Sequence, residues 1–434
     1  MPLKRSIGLL GSHPDFRRLW VGESLSQIGS QVTMVAVPLL AVGYLNASTF
    51  EVAVLTGLET LGFVLIGLPA GVWCDRLRRR PLLISTDLMR TAAIGSIPLA
   101  AAFGLLTLVH VYIAVFVIGV CTVFFDVAYQ SYLPSLVGRD HLVEGNAKLE
   151  VSRTVAQVTG PAVAGGLVQA LTAPIALVVD ALSFAWSAAW LMRIRAEEPA
   201  PIRHENAGLR RDLAEGVSFV WRHPILRAIA LSGATSVLFA TAQAAIFVVF
   251  LVRTVGLSAG TIGLLFSLSG IGAVAGALMA TRMARWIGQA RSLLVFTFVA
   301  ALAGLLVPMT NPGAGLALFV VGSTASSFCI VVFNIIQVSF RQQLCPDHLL
   351  GRMNATMRFI LWGTMPLASV LGGALATAAG LRGAVWITAL AGLLGPLWLL
   401  FSPLRKMRDL PSGDEAAHLA GRPLASESET SSHR

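Results

Sequence analysis

Residues 108–132 read LVHVYIAVFVIGVCTVFFDVAYQSY, and Asp126 is the only charged side chain among them. An α-helix rises about 1.5 Å per residue, so about 20 such residues cross the roughly 30 Å hydrocarbon core of a bilayer. The run lacks the alternation of apolar and polar residues that barrel strands show, and an open sheet cannot face lipid. It is therefore predicted to be a membrane-spanning helix.

Other runs of the chain have the same apolar character. Together they give twelve predicted spans, at 18–43, 52–73, 82–106, 108–132, 150–172, 174–193, 226–251, 259–281, 291–309, 314–337, 357–379 and 384–403. The 434 residues are 55% hydrophobic and 12% charged, whereas soluble domains carry roughly 25% charged residues. This composition excludes a soluble enzyme and a disordered chain, and it predicts an all-α integral membrane protein.

The basic residues predict how the chain lies in the membrane. A formal net charge of +10 would suggest nucleic-acid binding in a soluble protein. With the N-terminus inside, however, the external loops hold only Arg253 and Arg382, and basic residues favour the cytoplasmic side of a membrane. We therefore expect a multi-pass protein of a cell membrane with both termini in the cytoplasm, surrounded by the lipid bilayer and without a nucleic-acid partner. The usage of 29 Arg against 3 Lys is typical of a high-GC bacterium, so the expected membrane is a bacterial one.

Several short motifs occur twice, at a nearly constant spacing of 207 or 210 residues. The pairs are His13-Pro14 with His223-Pro224, Asp140-His141-Leu142 with Asp347-His348-Leu349, and Gly165-Gly166 with Gly372-Gly373. Repeats in the same orientation are typical of transporters built from two bundles that face each other across a central cavity. The sequence therefore predicts two six-helix bundles related by a parallel repeat.

The longest internal loop divides the chain between these two halves. Its residues Leu209, Leu213 and Val217 recur at helical spacing, which predicts an amphipathic helix along the membrane surface. The end of the chain is polar and rich in Ser and Glu, which predicts disorder. The predicted domains are an N-terminal bundle at 1–193, a linker at 194–224, a C-terminal bundle at 225–404 and a cytoplasmic tail at 405–434.

Residues 71–80, GVWCDRLRRR, lie between spans 2 and 3 and resemble the loop signature of the major facilitator superfamily. Other stretches are similar to its exporter branch, which holds macrolide, siderophore and other drug-efflux proteins. They are Gly29-Ser30-Gln31, Asp87-Leu88-Met89-Arg90, Phe124-Phe125-Asp126, 132–136 (YLPSL), Gly160-Pro161 with Gly165-Gly166, and 180–184 (DALSF). The resemblance covers about 13–403 and implies the major facilitator fold with alternating access.

The resemblance also assigns a role to the loop after span 2. It implies that this loop is a gate that holds the two bundles together on the cytoplasmic side when the cavity opens outward. The gate residues it implies are Gly71, Asp75, Arg76, Arg79 and Arg80. Asp75 could cap the N-terminus of span 11, where backbone amides lack partners. A role in topology alone would explain the arginines but not Asp75.

The chain departs from the superfamily pattern in several places. Arg78 stands where a Gly is usual, and span 4 lacks the Arg that many drug/proton antiporters carry there. The motif that begins at Gly160-Pro161 is one residue longer than the antiporter motif. Because Pro161 removes a backbone hydrogen bond and the glycines allow close approach, span 5 is predicted to bend or to pack tightly around Gly160, Pro161, Gly165 and Gly166.

Two observations predict the energy source: the absence of a phosphate-binding motif and the acidic residues in the predicted spans. No Gly-Lys pair occurs, so a phosphate-binding P-loop is absent and an ion gradient is the expected driving force. Ionisable groups inside a bilayer cost about 2.5–3.5 kcal/mol and mark functional candidates. The acids that lie well inside the predicted spans are Glu23, Glu59, Asp126 and Asp180, all in the first half, and spans 7–12 hold no acid. We therefore expect proton coupling in the N-terminal bundle and an apolar wall from the C-terminal bundle.

Glu23 and Glu59 are the leading coupling candidates. Glu23, Gln27 and Gln31 recur every four residues, so they form one polar face, which lines either the cavity or a hydrogen-bonded seam between helices. Glu59 could either couple transport to protons or form a structural pair with another side chain.

Two further acids keep more than one interpretation open. Asp126 could pair with Arg90 or with Arg153, and Asp180 could be structural or functional. Asp87 and Arg90, three residues apart, are predicted to form an ion pair at the cytoplasmic mouth.

These observations predict a secondary transporter that exports a hydrophobic or amphipathic small molecule, with protons as the counter-ion. We expect a monomer that has no enzyme activity, cofactor or metal site, since the intramembrane acids have no His or Cys partners at useful spacing. A lysophospholipid flippase of the same fold and a non-transporting membrane sensor or scaffold remain alternatives.

Overall fold

The computed structural model describes residues 9–138, 141–196, 209–345 and 347–409. Within these ranges the regular secondary structure is helical and no strand occurs. Of three predicted gate residues, Gly71, Asp75 and Arg76, only the backbone is described, and Asp140 and the part of the tail from 410 onward lie outside the described residues.

The helices follow one another with short connections. They are α1 (Leu9–Ser12), α2 (Pro14–Gly43), α3 (Thr49–Arg76), α4 (Arg79–Ala102), α5 (Leu108–Val137), α6 (Leu142–Leu171), α7 (Ala173–Met192), α8 (Leu209–Arg222), α9 (Pro224–Val249), α10 (Ala259–Ile287), α11 (Gln289–Gly304), α12 (Leu316–Leu344), α13 (Asp347–Trp362), α14 (Met365–Gly392) and α15 (Leu394–Leu400). A π-helical turn, Phe250–Thr254, extends α9.

The helices account for the twelve predicted spans. Nine stretches of the described ranges are long and apolar enough to cross a membrane. The last of them, Met353–Leu400, has 48 residues, and a helix of that length would measure about 70 Å, more than twice the hydrocarbon core. Gly380 interrupts it with a φ of 73°, so it makes two crossings. The more polar helices α4 and α6 pack beside the apolar ones and complete the set.

Several helices begin at residues that stabilise a helix N-terminus. Ser48 and Glu51 form a capping box at the start of α3, and the hydroxyl of Ser258 accepts a hydrogen bond from the Thr261 backbone at the start of α10. Pro14 and Pro224 occupy the first turns of α2 and α9, where a missing N–H costs nothing. Local chemistry thus fixes where these helices begin.

Several helices are longer than the apolar runs that predicted them. α6 begins at Leu142, about two turns before the predicted start at 150. Its first turns carry polar and charged residues, which hydropathy excludes from a span but which a helix tolerates at headgroup level.

The two halves repeat one pattern of helix packing. In the first half α2 packs on α7, and α5 packs on α3 and α4; in the second half α9 packs on α14 and α15, and α12 packs on α10 and α11. Between the halves α6 packs on α10, and α14 packs on α3. This arrangement confirms the predicted fold class, two six-helix bundles related by a parallel repeat. The exact domain boundaries stay predictions.

The molecule has two ends, the linker face and the distal face. The linker face is the end at which α2 begins at Pro14 and α7 ends at Met192. The distal face is the opposite end, at which α2 ends at Gly43 and α3 begins at Thr49.

Candidate functional site

A cavity lies between the two bundles in the half of the molecule near the linker face. It consists of two adjoining pockets of about 520 and 280 Å³, which share Phe63, Val127, Gln130 and Arg358. The first bundle contributes α3 and α5, and the second contributes α12, α13 and the start of α14. A cavity of this size suits a small organic molecule.

Two of the predicted carboxylates face this cavity. Glu59 lies ten residues from the start of α3, roughly 15 Å from the distal end at 1.5 Å per residue, and it lines the smaller pocket together with Asp126 of α5. Both side chains are exposed to the cavity. No ion pair within the described residues joins Asp126 to Arg90 or Arg153, because Arg90 pairs with Asp87 and Arg153 pairs with Glu150.

The opposite side of the cavity is polar, which corrects the predicted apolar wall. Arg341 of α12 and Asn354 and Arg358 of α13 line it. The Arg358 guanidinium lies 5.2 Å from the centre of the Trp362 ring, and this ring makes an edge contact with Phe63 of the first bundle at 4.8 Å. Acids from one bundle therefore share a cavity with bases from the other.

Arg358 lies inside a predicted span, and sequence reasoning missed it. The rule that marks intramembrane acids as functional candidates applies equally to bases. Arg358 lies close to the start of the span predicted at 357–379, so the sequence contains the signal that marks it as a candidate.

The distal face is closed by direct contacts between the bundles. Arg253, in the π-helical turn after α9, donates to the backbone oxygen of Ala47 at 2.7 Å. The side-chain oxygen of Gln169 at the end of α6 accepts from the Gly260 backbone at 2.9 Å and from the Ser258 hydroxyl at 3.3 Å.

Below these contacts, glycines bring helices of the two bundles together. A Cβ on Gly165 of α6 would meet the backbone of Ala259 and Gly263 on α10. On the symmetry-related side, a Cβ on Gly373 would meet Ala53 and Phe50 of α3. The distal face is thus closed, and the cavity lies on the linker side of the closure.

The motif around Pro161 serves close packing. α6 continues as a helix through Pro161, and the Ala162 N–H donates to the hydroxyl of Ser267 on α10 at 2.9 Å. Gly160 lies against the side chain of Gln31 on α2. A Cβ on Gly166, in contrast, would meet no atom within 4 Å.

Glu23 lies inside the first bundle rather than on the cavity surface. Its side chain is buried, and one carboxylate oxygen accepts a hydrogen bond from Gln27 at 2.5 Å. The other oxygen has no hydrogen-bond partner among the described residues. The stripe of Glu23, Gln27 and Gln31 therefore runs from a buried acid to two half-buried amides.

The Asp87 and Arg90 side chains lie 3.1 Å apart. Both are almost fully buried, 0% and 6% exposed, so the pair lies in the bundle core and not at the predicted mouth. The Arg90 guanidinium is held between the rings of Phe125 and Phe184, at 4.2 and 4.7 Å from their centres. Contact with aromatic faces stabilises a cation where water is excluded.

Asp180 is completely buried in the same bundle, away from the cavity. Its carboxylate accepts hydrogen bonds from the hydroxyl of Thr33 on α2 and, at 3.0 Å, from that of Ser183. Gly29 allows this close approach, because a Cβ there would collide with Asp180 and Ser183. The geometry joins α2 to α7.

Arg80, one of the predicted gate residues, contacts the end of α7. Its guanidinium donates to the backbone oxygens of Leu191 at 3.0 Å and Met192 at 2.6 Å. A cation at a helix C-terminus satisfies carbonyls that have no partner in the helix. These contacts lie within one bundle. Arg79 is half-buried at the start of α4.

The repeat-related bundles and the polar cavity between them define a membrane transporter of the major facilitator type. A family model described as "Transmembrane secretion effector", MFS_3, matches residues 11–432. The chain belongs to this family, whose members are transporters and not enzymes.

Two relatives and one solved structure illustrate the similarity. The chain is 26% identical over 397 residues to the multidrug efflux pump Tap of Mycolicibacterium fortuitum, covering 88% of this chain and 94% of Tap. It is 28% identical over 431 residues to the enterobactin exporter EntS of Salmonella typhi, covering 95% and 98%. The crystal structure of a bacterial homologue of the iron transporter ferroportin, in its inward-facing state, matches with a TM-score of 0.73 at 17% identity, covering 89% of this chain and 98% of that one.

Proposed function

We propose that the protein exports a hydrophobic or amphipathic small molecule from the cytoplasm by alternating access, in exchange for protons. The observation that carries this proposal is the cavity in which Glu59 and Asp126 of one bundle share a space with Arg358 of the other. The similarity to Tap, a multidrug efflux pump, and to EntS, an enterobactin exporter, supports the outward direction.

The coupling role is assigned to the two cavity carboxylates. A carboxylate that opens to one side of the membrane and then to the other can carry a proton between them. When Glu59 and Asp126 are ionised, they attract Arg358 and any cationic substrate group; when they are protonated, this attraction is lost. Proton binding and substrate binding then compete for the same groups, which is the requirement for exchange.

The orientation follows from the basic residues. The linker face carries the arginine-rich segments and the distal face carries Arg253 and Arg382. Basic residues favour the cytoplasmic side, so the linker face is assigned to the cytoplasm. The cavity then opens towards the compartment from which an exporter takes its substrate. The loop around Asp75 is assigned to the cytoplasmic gate that closes when the distal face opens.

The test is uptake by inside-out membrane vesicles of a compound to which a deletion strain is hypersensitive. We expect uptake that stops when a protonophore removes the pH gradient. Glu59→Gln and Asp126→Asn should each reduce gradient-driven uptake to the level seen with the protonophore. Glu150→Gln is the matched control, since Glu150 is exposed outside the cavity and pairs with Arg153.

Glu23→Gln is examined in parallel, because Glu23 was a leading candidate from sequence and lies buried behind the cavity. Full gradient-driven uptake by both Glu59→Gln and Asp126→Asn would refute the coupling assignment. Uptake that is insensitive to the protonophore in the unaltered protein would refute proton exchange itself.

A further inference from the structure

The second bundle contains a cavity of its own, separate from the one between the bundles. It has a volume of about 280 Å³ and is formed by α9, α11, α12, the end of α13 and the second half of α14. None of the residues that line it is charged. Its chemistry therefore differs from that of the cavity that contains Glu59, Asp126 and Arg358.

The internal repeat explains why this cavity exists. At the repeat spacing of 210 residues, Gly233 of α9 corresponds to Glu23 of α2. At spacings of 207 to 210, the turn from Thr297 to Ala300 of α11 corresponds to Arg90 of α4. In the first bundle large charged side chains fill this region, whereas in the second bundle Gly233, Thr297 and Ala300 line a cavity. The second bundle therefore retains the corresponding space, and small neutral residues stand where the first bundle has charged side chains.

The lining of the cavity combines aromatic surface with neutral polar side chains, and one of their donors is buried without a partner in the described part of the chain. Phe239 and Phe333 contribute the rings. The hydroxyls of Thr297 and Thr388 donate to backbone oxygens of their own helices. The amide nitrogen of Gln243, in contrast, is buried without a hydrogen-bond partner among the described residues. A buried donor without a partner is costly, and a ligand acceptor would remove that cost.

We propose that this cavity is a second binding site, for an uncharged and mainly apolar group that carries one hydrogen-bond acceptor. An apolar cavity of about 150 Å³ holds a benzene molecule, so the volume here suits a group of roughly two fused rings. The Gln243 amide donates to its acceptor, and the rings pack between Phe239 and Phe333. A charged group is excluded, because no counter-charge lines the cavity. The site does not depend on proton exchange at Glu59 and Asp126.

Binding can be measured directly with Prodan, a neutral fluorophore that has a naphthalene ring system and one carbonyl acceptor. The full-length protein is placed in lipid nanodiscs without any gradient, and saturable fluorescence above that of empty nanodiscs is titrated. Ala240→Phe fills the cavity and should abolish saturable binding. Gln243→Leu removes the amide, and the donor with it, while keeping a side chain of similar size, and it should weaken binding about 2- to 12-fold, the range of one net hydrogen bond.

Controls separate this site from the cavity between the bundles. Ala277→Phe makes the same change as Ala240→Phe on an exposed position of α10 that lines neither cavity, and it should bind like the unaltered protein. Asp126→Asn should also bind normally, whatever its effect on transport. If Ala240→Phe does not fold, Ala301→Met fills the same cavity with a flexible side chain.

The possible outcomes decide the proposal. Loss of binding in the cavity-filling variant, with normal binding in Ala277→Phe and Asp126→Asn, would support it. Unchanged affinity in the cavity-filling variant, loss of affinity in Asp126→Asn, or no saturable binding above empty nanodiscs would each overturn it.

Discussion

Replacing Gly165 by alanine should open the distal face. The new Cβ would lie 3.0 and 3.1 Å from the Cα and backbone nitrogen of Gly263, and it would also meet the backbone oxygen of Ala259. Backbone atoms cannot rotate away as a side chain does, so α6 and α10 must separate. Overpacking of this kind costs about 1–3 kcal/mol, which would shift the equilibrium away from the distal-closed state about 5- to 150-fold.

The neighbouring residue provides a matched control. Gly166→Ala makes the same change in helix propensity, but its Cβ would meet no atom within 4 Å. Leu105 and Ala314 are exposed positions on distal loops of the two bundles. Spin labels at Leu105→Cys and Ala314→Cys report the opening as a longer distance between the labels, measured by pulsed electron paramagnetic resonance. The four native cysteines are buried. We expect longer distances in Gly165→Ala than in Gly166→Ala. Equal distance distributions in the two variants would refute the assignment of Gly165 to the closure.

Three other predictions follow from the contacts described. Arg253→Ala removes the donor to the backbone oxygen of Ala47. It should lengthen the distance between the labels at Leu105→Cys and Ala314→Cys, with little change in the temperature of thermal unfolding. A large loss of thermal stability without a longer distance would indicate a role in folding. Asp180→Asn should lower the free energy of unfolding by about 1–3 kcal/mol while transport by the folded fraction stays proton-driven, and loss of gradient dependence would instead make Asp180 a coupling residue. Arg80→Ala should destabilise the end of α7 by about 0.3–1 kcal/mol, measured by hydrogen exchange near Met192, and unchanged exchange there would contradict the capping role.

The fold could be predicted because its main determinant is local. Each apolar run is long enough to span a bilayer, and lipid leaves a helix as the available conformation. The boundaries were less accurate where polar turns continue a helix beyond the hydrocarbon, as at the start of α6. The repeated motifs indicated the parallel arrangement because duplicated sequences fold into similar units.

The site could be predicted only in part, because the rotation of each helix depends on packing with its neighbours. Glu59 and Asp126 were identified as intramembrane acids, and both face the cavity. Glu23 satisfies the same sequence rule but faces the core of its bundle. The position of the Asp87–Arg90 pair depends on Phe125 and Phe184, which are distant in sequence from α4.

In the proposed exchange, protonation of Glu59 and Asp126 shifts the equilibrium between the two open states of the transporter. The most direct test is the distal label distance, between Leu105→Cys and Ala314→Cys, in acidic and in alkaline buffer. We expect the distance distribution to change with pH in the otherwise unaltered protein and to become insensitive to pH in the Glu59→Gln/Asp126→Asn double variant. A double variant that keeps the full pH response would contradict it.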